Sequence, residues 1–265
     1  MARVKHIASR DNPVLARLRR LAGDPSAYRR FGELWIEGEH LCAAYARRGG
    51  VATRAVLSAD AWDDPALHAL ASHAESVLVL APALMVAVSA LESPAPIGYC
   101  VPWVGEGEVQ PGQPSVVLDR LQDAGNVGTV LRCAAAFGFT QVVALKGTAA
   151  LWSPKVLRAG MGAHFGLNLV EGLAEDGLSA LAVPMLASSS HATDAIHQVA
   201  LPWPCAWVLG NEGQGASVAL LRAARLTLRI PQPGGEESLN VAAAAAVCLY
   251  ESVRQRLDPA GTQAC

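Results

Sequence analysis

From Ser115 to Ile230, short apolar runs alternate with segments of helical character, and that rhythm leaves few folds open. Strand-like runs are read at Ser115–Asp119, Gln141–Leu145, Leu167–Val170, Met185–Ala187, Ala206–Leu209 and Leu226–Ile230. Between them, helices are expected over Asn126–Phe137, from Ser153-Pro154-Lys155 to about Ala159, over Leu178–Leu181 and over Ser217–Arg222. Continuous apolar strands with helical crossovers imply a parallel sheet covered on both faces, hence an open α/β fold. The rhythm ends in Ile230-Pro231-Gln232-Pro233-Gly234-Gly235-Glu236-Glu237-Ser238-Leu239-Asn240-Val241, a loop that neither a helix nor a sheet ladder tolerates. The alanine run from Ala242 to Ala246 then opens a helix, expected through Tyr250 and about one turn beyond. An alanine face admits close backbone approach, so this helix is expected to be buried.

The first 105 residues show the same alternation and read as a small α/β domain. A helix is read from Ile7 to Gly23, with Pro13 in its first turn, then a strand at Phe31–Glu37 and a helix at Glu39–Arg48. Strands at Val51–Leu57, Val77–Leu80 and Ile97–Val104 bracket helices at Pro65–His73 and Pro82–Leu91. The boundaries expected are a domain over 1–106, a Gly/Pro-rich linker over 107–114 and a second domain over 115–265.

Charge separates the two parts. Residues 1–54 hold eleven Lys/Arg against five acids, whereas the whole chain carries a net charge of −2. A basic head on an acidic body suits a polyanionic partner, although a solvated arginine face would look the same. The six cysteines are scattered without a CxxC pair or Cys/His clustering, so no metal site is expected and the thiols read as reduced packing residues. The longest apolar run, Val241–Tyr250, is too short to span a bilayer, and no signal peptide is visible; a cytoplasmic protein with no membrane partner is expected.

Ligands of open α/β sheets bind beyond the carboxyl ends of the strands. Three loops fall there: Asp119 through Arg132, Gly210-Asn211-Glu212-Gly213-Gln214-Gly215, and the loop after Ile230. Each combines Gly or Pro with polar residues that the fold itself does not need, so together they are expected to form a pocket. The GxGxxG dinucleotide fingerprint, the GxxxxGK[ST] phosphate loop and the GxSxG nucleophile elbow are all absent.

Asn126-x-Gly128-x-x-x-Arg132, then Leu209-Gly210-Asn211-Glu212-Gly213-x-Gly215, then Ile230-Pro231 with Ser238-Leu239-Asn240-Val241 and Leu249-Tyr250-Glu251, resemble in order and spacing the three motifs of the SpoU (TrmH) branch of the SPOUT RNA methyltransferases. The resemblance covers 115–253. In the head, Ile7-x-Ser9-x-x-Asn12-Pro13 and Trp35-Ile36-Glu37-Gly38 resemble the small RNA-binding domain that precedes many such catalytic domains. The resemblance implies a parallel α/β methyltransferase domain closed by a C-terminal trefoil knot, a known exception to the rule against knots. It further implies methyl transfer from S-adenosylmethionine to a ribose 2′-hydroxyl of RNA, rRNA more readily than tRNA given the head, by a homodimer with the alanine-rich helix near its interface. By motif position, Gly210, Ile230 and Leu239 are the expected cofactor contacts.

The residue types suit that chemistry, because a sulfonium methyl is already activated and the enzyme chiefly positions and polarises. Arg132 is the candidate to hold the target phosphate and assist the 2′-hydroxyl; a guanidinium, with five N–H donors and no acceptor, is a poor literal general base. On an otherwise apolar helix it would be costly to bury without a partner. Asn126, Ser238 and Asn240 are candidates to orient Arg132 and the ribose, and Glu212 to fix side chains or the loop; as ordinary structure the first three would be helix caps and Glu212 a surface acid. Lys155 and Arg158 match a segment near the RNA face, with one exposed helical turn as the alternative. Asn12, Arg17, Arg29 and Arg30 are candidate phosphate contacts, which position RNA without reading sequence. Two positions depart from the motifs: Gln232-Pro233 stands where Met usually follows Ile-Pro, and Ala242 where Ser is frequent. The rivals are a non-catalytic RNA-binding or ribosome-assembly protein that keeps the pocket, and a Rossmann-type methyltransferase, whose Gly-rich first loop is missing.

Overall fold

A computed structural model describes residues 3–235 and 238–257; Glu236, Glu237 and Cys265 therefore lie outside the described residues. The head contains β1 (Arg3–Ile7), α1 (Pro13–Gly23), α2 (Ala27–Phe31), β2 (Glu33–Glu37), α3 (Glu39–Arg47), β3 (Arg54–Ser58), α4 (Pro65–Ala71), β4 (Ser76–Leu80), α5 (Pro82–Val88) and β5 (Ile97–Pro102). There follow β6 (Ser115–Leu118), α6 (Ala124–Ala136), β7 (Gln141–Leu145), α7 (Pro154–Gly160), β8 (Asn168–Leu173), β9 (Met185–Ser188), β10 (Asp194–Ala195), β11 (Ala206–Leu209), α8 (Val218–Ala223), β12 (Leu226–Arg229) and α9 (Val241–Leu257). These form two compact units. The first is the chain up to Gly105 together with Trp152–Phe165; the second is Glu106–Leu151 together with the chain from Gly166 onward.

In the first unit a five-stranded sheet runs in the order β1-β4-β3-β5-β2. Strands β1, β4 and β3 are parallel, and β5 is antiparallel to both β3 and β2, so this sheet is mixed. Leu15, Leu18 and Leu21 of α1 pack with Leu84, Met85 and Val88 of α5 over Val56, Leu78 and Leu80. The sequence reading started a helix at Ile7, whereas Arg3–Ile7 is the edge strand β1. Only Ile7 of β1 is buried, so no alternation marks it as a strand. Helix α7 packs on β2 and α1. Behind it, the Phe165 and Tyr45 rings meet edge to face at 5.0 Å, and a Cβ on Gly162 would lie 2.6 Å from that of Ala44. Residues 152–165 thus belong to the first unit although the sequence places them between β7 and β8.

The second unit is a seven-stranded sheet in the order β10-β12-β9-β11-β6-β7-β8, every pair parallel, as the alternation requires. After β9 the chain returns to lay β11 between β9 and β6, then passes back to place β12 on the far side of β9. One face is covered by Leu178, Leu181 and Leu220, packed on Val117, Val143 and Val208. On α9, Ala242, Ala245, Cys248 and Leu249 are buried, and the helix packs against α6, so one side of the alanine run is buried while Ala243 stands exposed. The buried Trp207 indole donates to Ser252 Oγ at 2.9 Å, fixing α9 on β11. Residues 107–114 are not a free tether. Gly107 N–H donates to Leu169 O (3.2 Å), Gly112 N–H to Leu181 O (2.8 Å), and Gln110 N–H to Gln141 Oε1 (2.7 Å).

No described helix is long and apolar enough to cross a membrane, and among the described residues no group of three or more His, Cys, Asp or Glu is placed to hold a metal. Cys42, Cys100, Cys205 and Cys248 are buried and unpaired by disulfide, and burial pushes the last three thiols up to about 12.

Candidate functional site

At the carboxyl ends of β9, β11 and β12 the second unit opens into a cavity of about 950 Å³, at the upper end of the usual range for ligand sites. Its wall includes Leu209–Ala216, Ile230, Gln232 and Ser238–Val241, so two of the three loops expected to meet do line one pocket. The third loop reaches the same place through hydrogen bonds.

Gly210 ends β11. A Cβ there would stand 1.9 Å from Ala216 N and 2.1 Å from Gly215 C, so only glycine lets the loop fold back on the strand. The returning loop is pinned by Asn211. Its backbone exchanges hydrogen bonds with Gly215 (3.0 and 2.8 Å), while Oδ1 accepts from Gly213 and Gln214 N–H (3.0 and 3.1 Å). Its Nδ2 donates to Arg120 O at 2.9 Å, which ties this loop to the one after β6.

Glu212 makes the second tie. Its carboxylate accepts from the N–H groups of Asp123 (3.2 Å) and Gln122 (3.4 Å) and from Asn126 Nδ2 (3.2 Å). Partial burial pushes this carboxyl up, but its own N–H, the Asn126 amide and the Asp123 and Gln122 N–H groups outweigh that and hold it below the ordinary carboxylate value. Asn126 is not the cap of α6: Asp123 is, accepting from Asn126 N–H at 2.7 Å. The Asn126 side chain is thereby released to bridge, and its Oδ1 accepts from Asn240 Nδ2 at 3.0 Å. Asn240 does cap α9, with Oδ1 accepting from Ala242 and Ala243 N–H (2.9 and 3.3 Å). A continuous chain, Asn240–Asn126–Glu212, therefore joins one residue from each motif.

Ser238 and Leu239 line the cavity and are exposed, and Ile230 lines it just beyond β12. Arg132 avoids the cost of burial without a partner. It is exposed on α6, hydrogen-bonds to no other described residue and does not line this cavity. Six positions after Asn126, it projects from another side of the helix. Lys155 and Arg158 sit on α7 in the first unit, Lys155 exposed and Arg158 half-buried.

In the head, Asn12 is the N-cap of α1, accepting from Val14 N–H at 3.0 Å. Arg17 pairs with Glu33 at 2.8 Å, and both Arg17 and Arg30 lie over the Phe31 ring, at 5.2 and 4.5 Å; Arg29 lies over Tyr28 at 4.7 Å. All three arginines are exposed and form a cationic patch backed by aromatic rings.

The sequence reading missed Ser188, which ends β9, and Ser189, Ser190 and His191, which follow it; all four line the cavity. The rule that ligands lie beyond strand ends was the available signal, but a plain Ser-Ser-Ser run carries no motif.

A parallel α/β unit with its pocket walled by the strand-end loops and the start of the last helix defines a ligand-binding α/β domain. Residues 113–250 match the SpoU rRNA Methylase family, and the chain belongs to that family. It is 30% identical over 218 residues to the 23S rRNA (guanosine(2553)-2′-O)-methyltransferase RlmP of Bacillus subtilis, covering 81% of this chain and 86% of that one. A crystal structure of an RNA 2′-O ribose methyltransferase superposes with a TM-score of 0.80 at 28% identity, over 96% of this chain and 100% of the other. An AdoMet-bound rRNA methyltransferase from Sinorhizobium meliloti gives 0.83 at 25% identity, over 95% and 98%. The second unit has the trefoil-knotted α/β fold of these enzymes, so the fold implied by the motifs holds.

Proposed function

We propose that this chain transfers a methyl group from S-adenosylmethionine to a ribose 2′-hydroxyl of RNA, with rRNA of the large subunit as the substrate class. The observation that carries the reading is the Asn240–Asn126–Glu212 chain, which gathers all three motifs at one strand-end cavity. The names of the relatives support the reaction and favour rRNA over tRNA.

The cavity fits the cofactor. Gly210 keeps its floor free of side chain, Leu209, Leu221, Ile230 and Leu239 give apolar surface for a flat base, and Ser188, Asn211 and Ser238 supply polar groups for sugar and amino acid. S-adenosylmethionine supplies a methyl on a sulfonium that a weak oxygen nucleophile can attack. The protein's part is positioning. Gly210, Ile230 and Leu239 hold the cofactor; Glu212 and Asn126 lock the first turn of α6 against the cavity rim; Ser238 and Asn240 face the ribose. Arg132 binds the target phosphate through its planar fork and orients the 2′-hydroxyl rather than taking its proton. The arginine patch of the head, with Arg17, Arg29 and Arg30, grips the RNA backbone, with Asn12, Lys155 and Arg158 as further contacts.

The protein acts as a homodimer through α6 and α9. Ala135, Ala136 and Tyr250 are exposed there, Tyr250 at 53%, with Val247 half-exposed at 38%. Arg132 shares a helix face with Ala135 and Ala136, three and four positions on, so pairing by that face presents it to the second copy. Light scattering should return twice the chain mass; an active monomer refutes the dimer.

Incubation with labelled S-adenosylmethionine and separate rRNA and tRNA pools tests the activity. Label in rRNA, recovered as a 2′-O-methylated nucleoside and lost in Arg132→Ala, is expected. Binding of cofactor and RNA without transfer refutes the catalytic reading.

A further inference from the structure

Gln232 occupies the position where the family's third motif has Met, and it lines the cavity. Its backbone is fixed, since Gly235 N–H donates to Gln232 O at 3.2 Å across the Pro233-Gly234 turn. Yet its side-chain oxygen, Oε1, is buried without a hydrogen-bond partner among the described residues. A buried acceptor left unpaired costs stability, and a thioether at this place would not incur that cost. The polar atom is therefore explained by something that enters the cavity.

We propose that Gln232 is a specificity residue of this chain that reads the adenine edge of the cofactor, Oε1 accepting from the exocyclic N6 amine and Nε2 donating to N7. The inference rests on the methyltransferase reading above and deepens it. A primary amide places an acceptor beside a donor, the complement of the donor and acceptor on adenine. The zwitterionic end of the cofactor is a poor match for a buried neutral amide, because charge buried beside it would need counter-charge. Among the described lining residues Glu212 is the one Asp or Glu, it is already engaged, and none is Lys or Arg. The neutral base, flanked by Ile230 and Leu221, is what remains for Gln232.

The test is calorimetric titration of the full-length protein and its Gln232→Met variant with S-adenosylhomocysteine and with S-inosylhomocysteine, which carries a carbonyl in place of the amine. The wild-type chain should prefer the adenosyl ligand by about tenfold or more. Gln232→Met should lose about tenfold in affinity for it and most of the discrimination, while its ligand-free melting temperature stays level or rises. That combination separates recognition from damage to the fold. Equal affinity and equal discrimination in the two proteins overturn the role of Gln232 and leave the methyltransferase reading intact. Failure of the wild-type chain to bind S-adenosylhomocysteine overturns both.

Discussion

Replacing Gly210 by alanine adds one methyl group where the structure has no room for it. The new Cβ would meet Ala216 N at 1.9 Å and Gly215 C at 2.1 Å, both backbone atoms of the returning loop. Ordinary contact requires the loop to retreat by about 1.5 Å. That loop cannot yield piecemeal, because Asn211 holds it through four hydrogen bonds to Gly213, Gln214 and Gly215. Overpacking against so fixed a neighbour costs about 1–3 kcal/mol, which at about 2–4 °C per kcal/mol lowers the melting temperature by several degrees. The larger effect falls on binding, since the displaced atoms are the cavity wall. In a thermal-shift assay with S-adenosylhomocysteine at 100 times its Kd, the wild-type protein should gain about 2.7 kcal/mol and Gly210→Ala almost nothing. Gly23→Ala, outside the cavity, is the control. Its Cβ would meet nothing within 4 Å, so the ligand shift should match wild type. A Gly210→Ala protein with wild-type midpoint and wild-type ligand shift would refute the steric reasoning.

Three further outcomes are expected. Arg132→Ala should lower methyl transfer by at least about 100-fold while moving stability by no more than about 0.5 kcal/mol, because the side chain is exposed and bonded to no described residue; single-turnover kinetics and calorimetry separate the two. The Glu212 carboxyl is held below its ordinary value, so its ties to α6 contribute fully above the unfolded-state value and are lost as pH falls through the folded one. Affinity for S-adenosylhomocysteine should therefore be flat near neutrality and fall on acidification below the usual carboxylate range, whereas Glu212→Gln should be flat throughout; identical profiles would count against the ties. Cys42, Cys100, Cys205 and Cys248, buried with raised thiol pKa values, should resist an aromatic disulfide reagent at pH 8 in the folded protein, and peptide mapping that finds any of them labelled contradicts the packing.

The parallel sheet was legible because buried strands such as Val116–Leu118 and Val142–Leu145 are apolar on both faces and need no partner to declare themselves. Strand β1 was not, because a solvated edge strand obeys no alternation, and β10 is only two residues long. At the site, the motifs identified Asn126, Glu212 and Asn240 by type, but not the way they join. That Asp123 caps α6 and frees Asn126 to bridge depends on where the helix begins, which residue identities fix only to within a few positions. Arg132 was legible by type and motif, but not its exposure: Val127, Val130, Leu131 and Ala134 form the buried side of α6 and leave the arginine on another.

The docking of Trp152–Phe165 on the head has a consequence for the order of events during synthesis. Domains commonly fold as they leave the ribosome, the N-terminal one first. Here the first unit lacks α7, with its contacts to β2 and α1, until β6, α6 and β7 of the other unit have already been made. A nascent chain arrested shortly after Gly105 exposes the surface that α7 will cover, and a gene fragment cut at that point inherits the same defect. Exchanging heads between relatives therefore means exchanging residues 152–165 as well.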